Sequence, residues 1–260
     1  MPAFFMSGRP TAKDAMNREI LRLAIPNILS NLTVPLLGAV DLALAGHMPG
    51  EDYIGAIGLG GLVFSYLYWA FGFLRMGSTG LTAQAYGAHD QNGVTLVLQR
   101  GMAVAMVGGL LLIALQIPLE WLSLQALSAS QGVELLVSEY FRYRIWAAPA
   151  SLGLFALSGW FLGMQNALFP MLMAIVANGA NIILSIFFVQ TQDMQVDGIA
   201  LGTAIAQWLG FLFGVFLLFT RYRVFIKPLP IAKVLHLQEL KDFFAVNGDI
   251  FIRTMALLTI

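Results

Sequence analysis

The chain has 260 residues, of which 58% are hydrophobic and only 11% are charged, and its formal net charge is zero. Soluble domains contain about 25% charged residues, so this chain has too little charge to cover the surface of a soluble protein of its size. The neutral balance gives no basis for a nucleic-acid partner. The absence of cysteine excludes disulfides, thiolate metal sites and a cysteine nucleophile, and the three histidines (His47, His89 and His236) lack metal-ligand spacing.

Apolar segments long enough to cross a bilayer recur along the chain, because a hydrocarbon core of about 30 Å requires about 20 helical residues. The six complete segments are residues 20–46, 53–74, 93–117, 145–163, 167–189 and 198–220. A seventh begins at Phe243 and continues to Ile260, where the chain ends. We predict an all-α integral membrane protein, with a bundle of six transmembrane helices followed by the start of a seventh helix. The first segment is too long for the core of a cleaved signal peptide.

The distribution of charged residues predicts the orientation of the helices, because Lys and Arg accumulate in cytoplasmic loops. Basic residues cluster in the N-terminal tail and after the second and sixth segments, whereas acidic residues occupy the alternate loops. Arg142 and Arg144, at the start of the predicted fourth helix, are the exceptions. We therefore expect a multi-pass protein of the cell membrane, inner or plasma, with a cytoplasmic N-terminus.

The segments suggest a division into four parts. We predict a cytoplasmic tail (1–19), a six-helix lobe (20–222), a cytoplasmic linker (223–241) and the truncated first helix of a second lobe (242–260). The linker is either an amphipathic surface segment or a plain loop. A repeated pattern supports the boundary, because Glu19 precedes Asn27 by the same eight residues that separate Glu239 from Asn247. The chain ends inside a predicted span, so we expect a truncated or split reading frame.

Asp41 is the most informative residue, because it follows a nearly uninterrupted apolar run and lies within the outer half of the first predicted helix. An ionised carboxylate in this position costs at least about 2.5–3.5 kcal/mol on insertion scales. The carboxylate must therefore face a cavity, find a partner or take up a proton. We interpret Asp41 as a proton carrier, and the alternative is a structural Asp bonded to a neighbouring helix.

Asp41 has no obvious basic partner in the sequence, since Arg75 and Arg100 are expected at cytoplasmic helix ends. The polar side chains available to it are amides and hydroxyls. Asn178, Asn181 and Ser185 lie at helical spacing on one face of the fifth predicted helix, and Thr203 lies on the sixth. These residues are either part of a site or hydrogen-bonding contacts between helices.

Two prolines, Pro26 and Pro35, interrupt the hydrogen-bond ladder of the first helix before Asp41. They predict either a static bend or a hinge whose conformation depends on the protonation of Asp41. Glycines such as Gly60 and Gly109 are expected to permit close packing of the second and third helices.

Four stretches of the chain resemble the multidrug and toxic compound extrusion (MATE) family, and its DinF branch in particular. They are residues 23–28 (LAIPNI), 34–41 (VPLLGAVD), 74–88 (LRMGSTGLTAQAYGA) and 144–152 (RIWAAPASL). The resemblance covers nearly the whole chain from Glu19 onward. It implies a fold of twelve helices in two six-helix lobes around a central cleft, of which this chain would supply the first lobe.

The resemblance also implies a function and a set of residues. Family members export small organic compounds, often cationic, in exchange for protons or sodium, and use no other cofactor. The resemblance assigns the coupling role to Asp41 and hinge bending to Pro26. It places Asn178, Asn181 and Thr203 beside that carboxylate. Ser185 stands where many relatives carry a second carboxylate, which favours the proton over sodium as the coupling ion.

Three alternatives to a multidrug antiporter remain. A flippase for lipids or lipid-linked precursors, from the same superfamily, would need basic residues in its cleft, and the sequence shows none at mid-depth. An inactive fragment is the second alternative, since a cleft between two lobes needs a second six-helix lobe as partner. A membrane-bound lipid enzyme is the third, and the chain shows no cluster of acid, base or metal-binding groups for it. We therefore predict a transporter and not an enzyme.

Overall fold

The computed structural model describes residue 28 and residues 37–127 and 129–226. These residues are helical, apart from short turns, and the helices are connected in sequence by brief loops. The α-helices are α1 (Leu37–Gly46), α2 (Glu51–Trp69), α3 (Phe73–Gly87), α4 (Gln91–Ala114), α5 (Gln116–Leu127), α6 (Gln131–Arg144), α7 (Ala148–Gly163), α8 (Leu168–Thr191) and α9 (Val196–Arg221). Two 3₁₀ turns, Ile145–Ala147 and Arg223–Phe225, complete the set.

Five helical stretches in the described ranges are long and apolar enough to cross a membrane, and α1 adds a shorter apolar helix. The predicted fold class is therefore confirmed, but two predicted boundaries are wrong. The second span continues to Gly87 after a turn at residues 70–72, and the fourth begins at Gln131 and runs through the Ile145–Ala147 turn to Gly163. Hydropathy placed these boundaries too close to the apolar cores because 73–87 and 131–144 carry polar and charged residues.

The region between the third and fourth predicted spans also differs from the prediction. No helix was predicted between the spans 93–117 and 145–163, but α5 occupies Gln116–Leu127 and α6 begins at Gln131. Ser130 caps the following helix, since its hydroxyl oxygen accepts a hydrogen bond of 3.4 Å from the backbone N–H of Val133. On α6, Arg142 Nε lies 3.8 Å from Glu120 Oε1 of α5. α5 and α6 therefore pack against each other as a helical hairpin that hydropathy does not reveal.

The centre of the bundle is α7, which packs against α3, α4, α8 and α9. Glycines bring the backbones into contact there. A Cβ atom at Gly159 would lie 2.4 Å from the carbonyl oxygen of Arg75, and one at Gly163 would lie 2.5 Å from the Cβ atom of Thr82. The expected packing role of Gly60 and Gly109 is supported, because a Cβ atom at either would lie within 2.6 Å of Tyr140 or Pro149.

An aromatic cluster closes one end of the bundle around Trp160, which is fully buried. Its indole N–H donates a hydrogen bond of 3.0 Å to the carbonyl oxygen of Val94 on α4. The ring stacks edge to face on Tyr222, with 5.2 Å between centroids. Trp160 therefore joins α4, α7 and the end of α9 through both packing and a buried hydrogen bond.

Trp160→Phe is expected to lower the stability of the folded protein by about 2–4 kcal/mol, because it leaves a cavity and removes a buried donor. Trp208→Phe is the control, since Trp208 makes an equivalent 3.0 Å bond to the carbonyl oxygen of Trp146 in a more exposed setting. Thermal unfolding in detergent, followed by size-exclusion chromatography, measures both variants. Equal losses in the two variants would contradict the structural role of Trp160.

Several predictions fall outside the described residues. They concern Pro26 and Pro35, the tail 1–19, the linker beyond residue 226 and the helix 242–260. The predicted six-helix lobe 20–222 is described from residue 37 to its end, with the gap at residue 128.

Candidate functional site

The polar face predicted on the fifth span lies between α8 and α9. Asn181, Ser185 and Thr203 are all buried. The side-chain amide of Asn181 donates a hydrogen bond of 2.6 Å to the hydroxyl oxygen of Thr203. That hydroxyl in turn donates to the carbonyl oxygen of Ile199 at 2.9 Å. Asn181 Oδ1 accepts no hydrogen bond within the part of the chain that the structure describes.

Ser185 lies one turn further along α8, at one of the positions where the two helices approach closely. A Cβ atom at Gly202 of α9 would lie 2.9 Å from both the backbone nitrogen and the hydroxyl oxygen of Ser185. The Ser185 hydroxyl has no hydrogen-bond partner among the described residues. The contact between Gly202 and Ser185 holds α8 and α9 close enough for the neighbouring bond between Asn181 and Thr203.

Asp41 lies on α1 with only 8% of its surface exposed. Its Oδ1 atom is buried and accepts no hydrogen bond within the described ranges. The Asp41 carboxylate is attracted electrostatically to the guanidinium of Arg144 on α6. The prediction that no basic residue lies near the depth of Asp41 is therefore wrong.

Arg144 was missed because the fourth span was expected to begin after it. In the structure the span starts at Gln131, so at 1.5 Å per residue Arg144 lies about 20 Å from its first residue. The guanidinium is held by α6 and α2: Nη1 donates a 2.6 Å hydrogen bond to the hydroxyl of Tyr140. Its central carbon lies 5.3 Å from the ring centroid of Phe64 and 5.4 Å from that of Tyr140. Such cation–π contacts partly offset the loss of hydration.

The structure thus divides the predicted site residues into two groups. Asn181, Ser185 and Thr203 form the interface between α8 and α9, whereas Asp41 belongs to the group around Tyr140 and Arg144. Asn178 connects the groups, because it lines a cavity that Arg144 also lines. The signal that could have identified Arg144 was its exception to the charge distribution. Its spacing of four residues from Tyr140 was a second signal.

The chemistry available in these two groups is proton uptake and hydrogen bonding. No cluster of three or more His, Asp or Glu side chains suited to a metal ion occurs in the ranges that the structure describes. The side chains of α8 and α9 supply neutral donors and acceptors, and the Asp41 group supplies one carboxylate beside one guanidinium.

Comparison with known proteins gives a consistent result. The MatE family model matches residues 26–187. The chain is 35% identical over 243 residues to DNA damage-inducible protein F of Escherichia coli, a match that covers 93% of this chain and 52% of that protein. It is 30% identical over 164 residues to the probable multidrug resistance protein NorM of Bradyrhizobium diazoefficiens, covering 63% of this chain and 34% of that protein.

Two solved structures share the fold. One is a MOP superfamily transporter from Pyrococcus furiosus, with a TM-score of 0.79, 23% identity and coverage of 88% of this chain and 51% of that chain. The other is the Vibrio cholerae MATE transporter VcmN in its bent form, with a TM-score of 0.79, 20% identity and coverage of 92% and 53%. The chain spans about half the length of DNA damage-inducible protein F and of these two structures.

These relatives are multi-pass membrane transporters and not enzymes, which agrees with the prediction from the sequence. The family model matches well over half of the chain, and the bundle superimposes on half of each solved transporter. The chain belongs to the MATE family of membrane transporters.

Proposed function

We propose that this chain forms the N-terminal lobe of a secondary active exporter, which moves small organic compounds out of the cell in exchange for protons. The observation that carries the proposal is the buried Asp41 carboxylate, whose Oδ1 atom receives no hydrogen bond from the described residues. An ionised carboxylate in such a position is expensive, so taking up a proton stabilises it. Two charge states of one buried group can favour two conformations of the protein.

The supporting residues are neutral. These side chains can form hydrogen bonds with a charged or neutral substrate, or with an ordered water, but they add no formal negative charge. They belong to Asn178, Asn181, Ser185 and Thr203. Asp41, which lies in the other group beside Arg144, would be the one anionic ligand that the predicted site residues offer a sodium ion. A proton needs no ligand cage, so the proton is the better-supported coupling ion, with sodium as the alternative.

The remaining parts of the transporter are also proposals. A second six-helix lobe, in the same product or in a separate one, would complete the cleft with this lobe. Residues 1–19 and 223–241 would lie in the cytoplasm and residues 242–260 would begin the second lobe. The cell (inner or plasma) membrane is the proposed location, since basic residues in the tail and linker favour a cytoplasmic N-terminus.

A flippase for lipids or lipid-linked precursors is the second candidate function. The objection to it was the expected lack of basic residues at mid-depth, and the presence of Arg75 and Arg144 in the lining of one cavity weakens that objection. An assay for movement of a fluorescent phospholipid across proteoliposome membranes would decide this candidate.

Transport in proteoliposomes tests the main proposal. The natural full-length product that contains this chain is reconstituted, and an imposed pH gradient is expected to drive accumulation of a fluorescent organic cation. Collapse of the gradient with a protonophore should stop the accumulation. Accumulation that is independent of the pH gradient would contradict proton coupling.

A further inference from the structure

A cavity of about 250 Å³ lies among α2, α3, α6, α7, α8 and α9. Its polar lining includes Arg75, Arg144, Ser158, Asn178 and Gln207. Leu154, Phe155 and Met173 add apolar surface. The cavity is therefore large enough for a small polar group with part of an apolar body beside it.

The charged side chains among the described residues that line the cavity are all basic. Two guanidinium groups line the cavity, and the described residues that line it include no Asp or Glu. Positive side chains inside a membrane protein are retained where they hold a counter-charge or a ligand. Arg144 Nε is buried and donates no hydrogen bond within the described ranges, although Nη1 is bonded to Tyr140. A donor is thus available on a guanidinium whose position is already determined by its protein contacts.

The geometry suits an oxyanion. Guanidinium groups bind carboxylates and phosphates through paired, charge-assisted hydrogen bonds, which are about twice as strong as neutral ones. The amides of Asn178 and Gln207 and the hydroxyl of Ser158 supply further donors without adding negative charge. A cation alone would meet two positive charges in this cavity and would be repelled.

We propose that this cavity is a subsite for the oxyanion of a transported substrate, such as a carboxylate or phosphate attached to an apolar body. The inference rests on the proposed function, because it names the substrate class of the same cleft. Arg144 and Arg75 hold the oxyanion, and Leu154, Phe155 and Met173 contact the apolar part.

The neighbouring carboxylate determines how this subsite responds to protons. Ionised Asp41 attracts Arg144 and repels an oxyanion, so protonation of Asp41 strengthens oxyanion binding. Binding of a positive group near Asp41 has the opposite dependence on protonation, because such a group competes with the proton for the carboxylate. Export in exchange for protons therefore depends on the positive part of a substrate, and the oxyanion subsite selects among positively charged substrates.

Two dyes that differ only in the oxyanion test the inference. Rhodamine B carries a carboxylate that is ionised at neutral pH, and its ethyl ester has the same cationic ring system without that charge. Binding to the purified full-length product is measured by fluorescence polarisation. Rhodamine B is expected to bind at least about tenfold more tightly than the ester, as charge-assisted bonds predict. Equal affinities of the two dyes for the wild-type protein would overturn the inference.

Substitutions of the two arginines test whether the preference for rhodamine B over its ester arises in this cavity. Arg144→Gln is expected to bring the affinity ratio of the two dyes close to one. Arg142→Gln is the matched control two residues away, since the Arg142 side chain is 71% exposed, and it should leave the ratio unchanged. Because Arg144→Gln also removes the bond to Tyr140, Arg75→Gln serves as a second variant that should lower the ratio. A ratio that survives both substitutions would place the oxyanion elsewhere and overturn the assignment.

This experiment separates the subsite from the proposed transport function, because binding needs no proton gradient. Gradient-driven export with equal dye affinities would reject the subsite alone. A tenfold preference without export would support the subsite and contradict the proposed exporter. Competition by dihexanoyl phosphatidic acid, compared with benzoate, then shows whether the subsite prefers a lipid headgroup or a soluble carboxylate.

Discussion

Asp41→Asn is expected to abolish proton-driven export while the protein remains folded in the membrane. Asn has nearly the same volume as Asp but cannot exchange a proton, so both conformations lose their dependence on pH. The gradient-driven rate should fall to that of protein-free liposomes, because a protein that exchanges no proton at this position cannot couple the pH gradient to movement of the substrate. Dye accumulation in proteoliposomes with an imposed pH gradient measures this rate.

Asp193→Asn is the matched control for this change. It removes the same charge from an exposed position in the loop between α8 and α9, where positive φ angles suit Asn as well as Asp. The control should export at the wild-type rate. Export by Asp41→Asn with an unchanged dependence on the pH gradient would exclude Asp41 as the coupling group.

Gly109→Ala is expected to destabilise the bundle by about 1–3 kcal/mol or more, because overpacking of this contact requires the backbone to move. The added Cβ atom would lie 2.4 Å from the Cα atom and 2.5 Å from the nitrogen of Pro149 on α7. Both neighbours are backbone atoms, so no side-chain rotation relieves the clash. The midpoint of thermal unfolding in detergent should fall by roughly 3–10 °C.

Gly58→Ala is the control for this prediction. Gly58 lies within α2, and a Cβ atom there would have no neighbour within 4 Å. In a helix interior with free space, Ala is favoured over Gly by about 0.5–1 kcal/mol, so the control should be unchanged or slightly more stable. A wild-type midpoint for Gly109→Ala would show that α4 and α7 do not approach as closely as the structure indicates.

Much of the fold was predictable because hydropathy is a property of residues counted along the chain. Five described spans lie where apolar segments predicted them, and α1 ends at the predicted Gly46. The boundaries at Gly87 and Gln131 were not predictable in this way, since the ends of both spans are stabilised by contacts with other helices. Gly159 and Gly163 of α7 supply those contacts for α3.

The candidate site was predictable only where a single residue is anomalous in its own segment. Asp41 was recognisable because a carboxylate interrupts an apolar run, and Asn178, Asn181 and Ser185 because their spacing defines a helix face. Arg144 was not, because together with Arg142 it was expected to lie at the start of the fourth span, and its burial depends on how α6 packs against α2.

The sequence by itself therefore determined the membrane class, the approximate positions of the five described spans and the residues that are costly to bury. Only the tertiary structure decided which of those residues meet. The bond from Asn181 to Thr203, the attraction between Asp41 and Arg144, and the cavity with Arg75 each join different helices. Such pairs depend on the rotation and depth of each helix relative to its neighbours, and these are determined by packing between helices and not by the composition of either one.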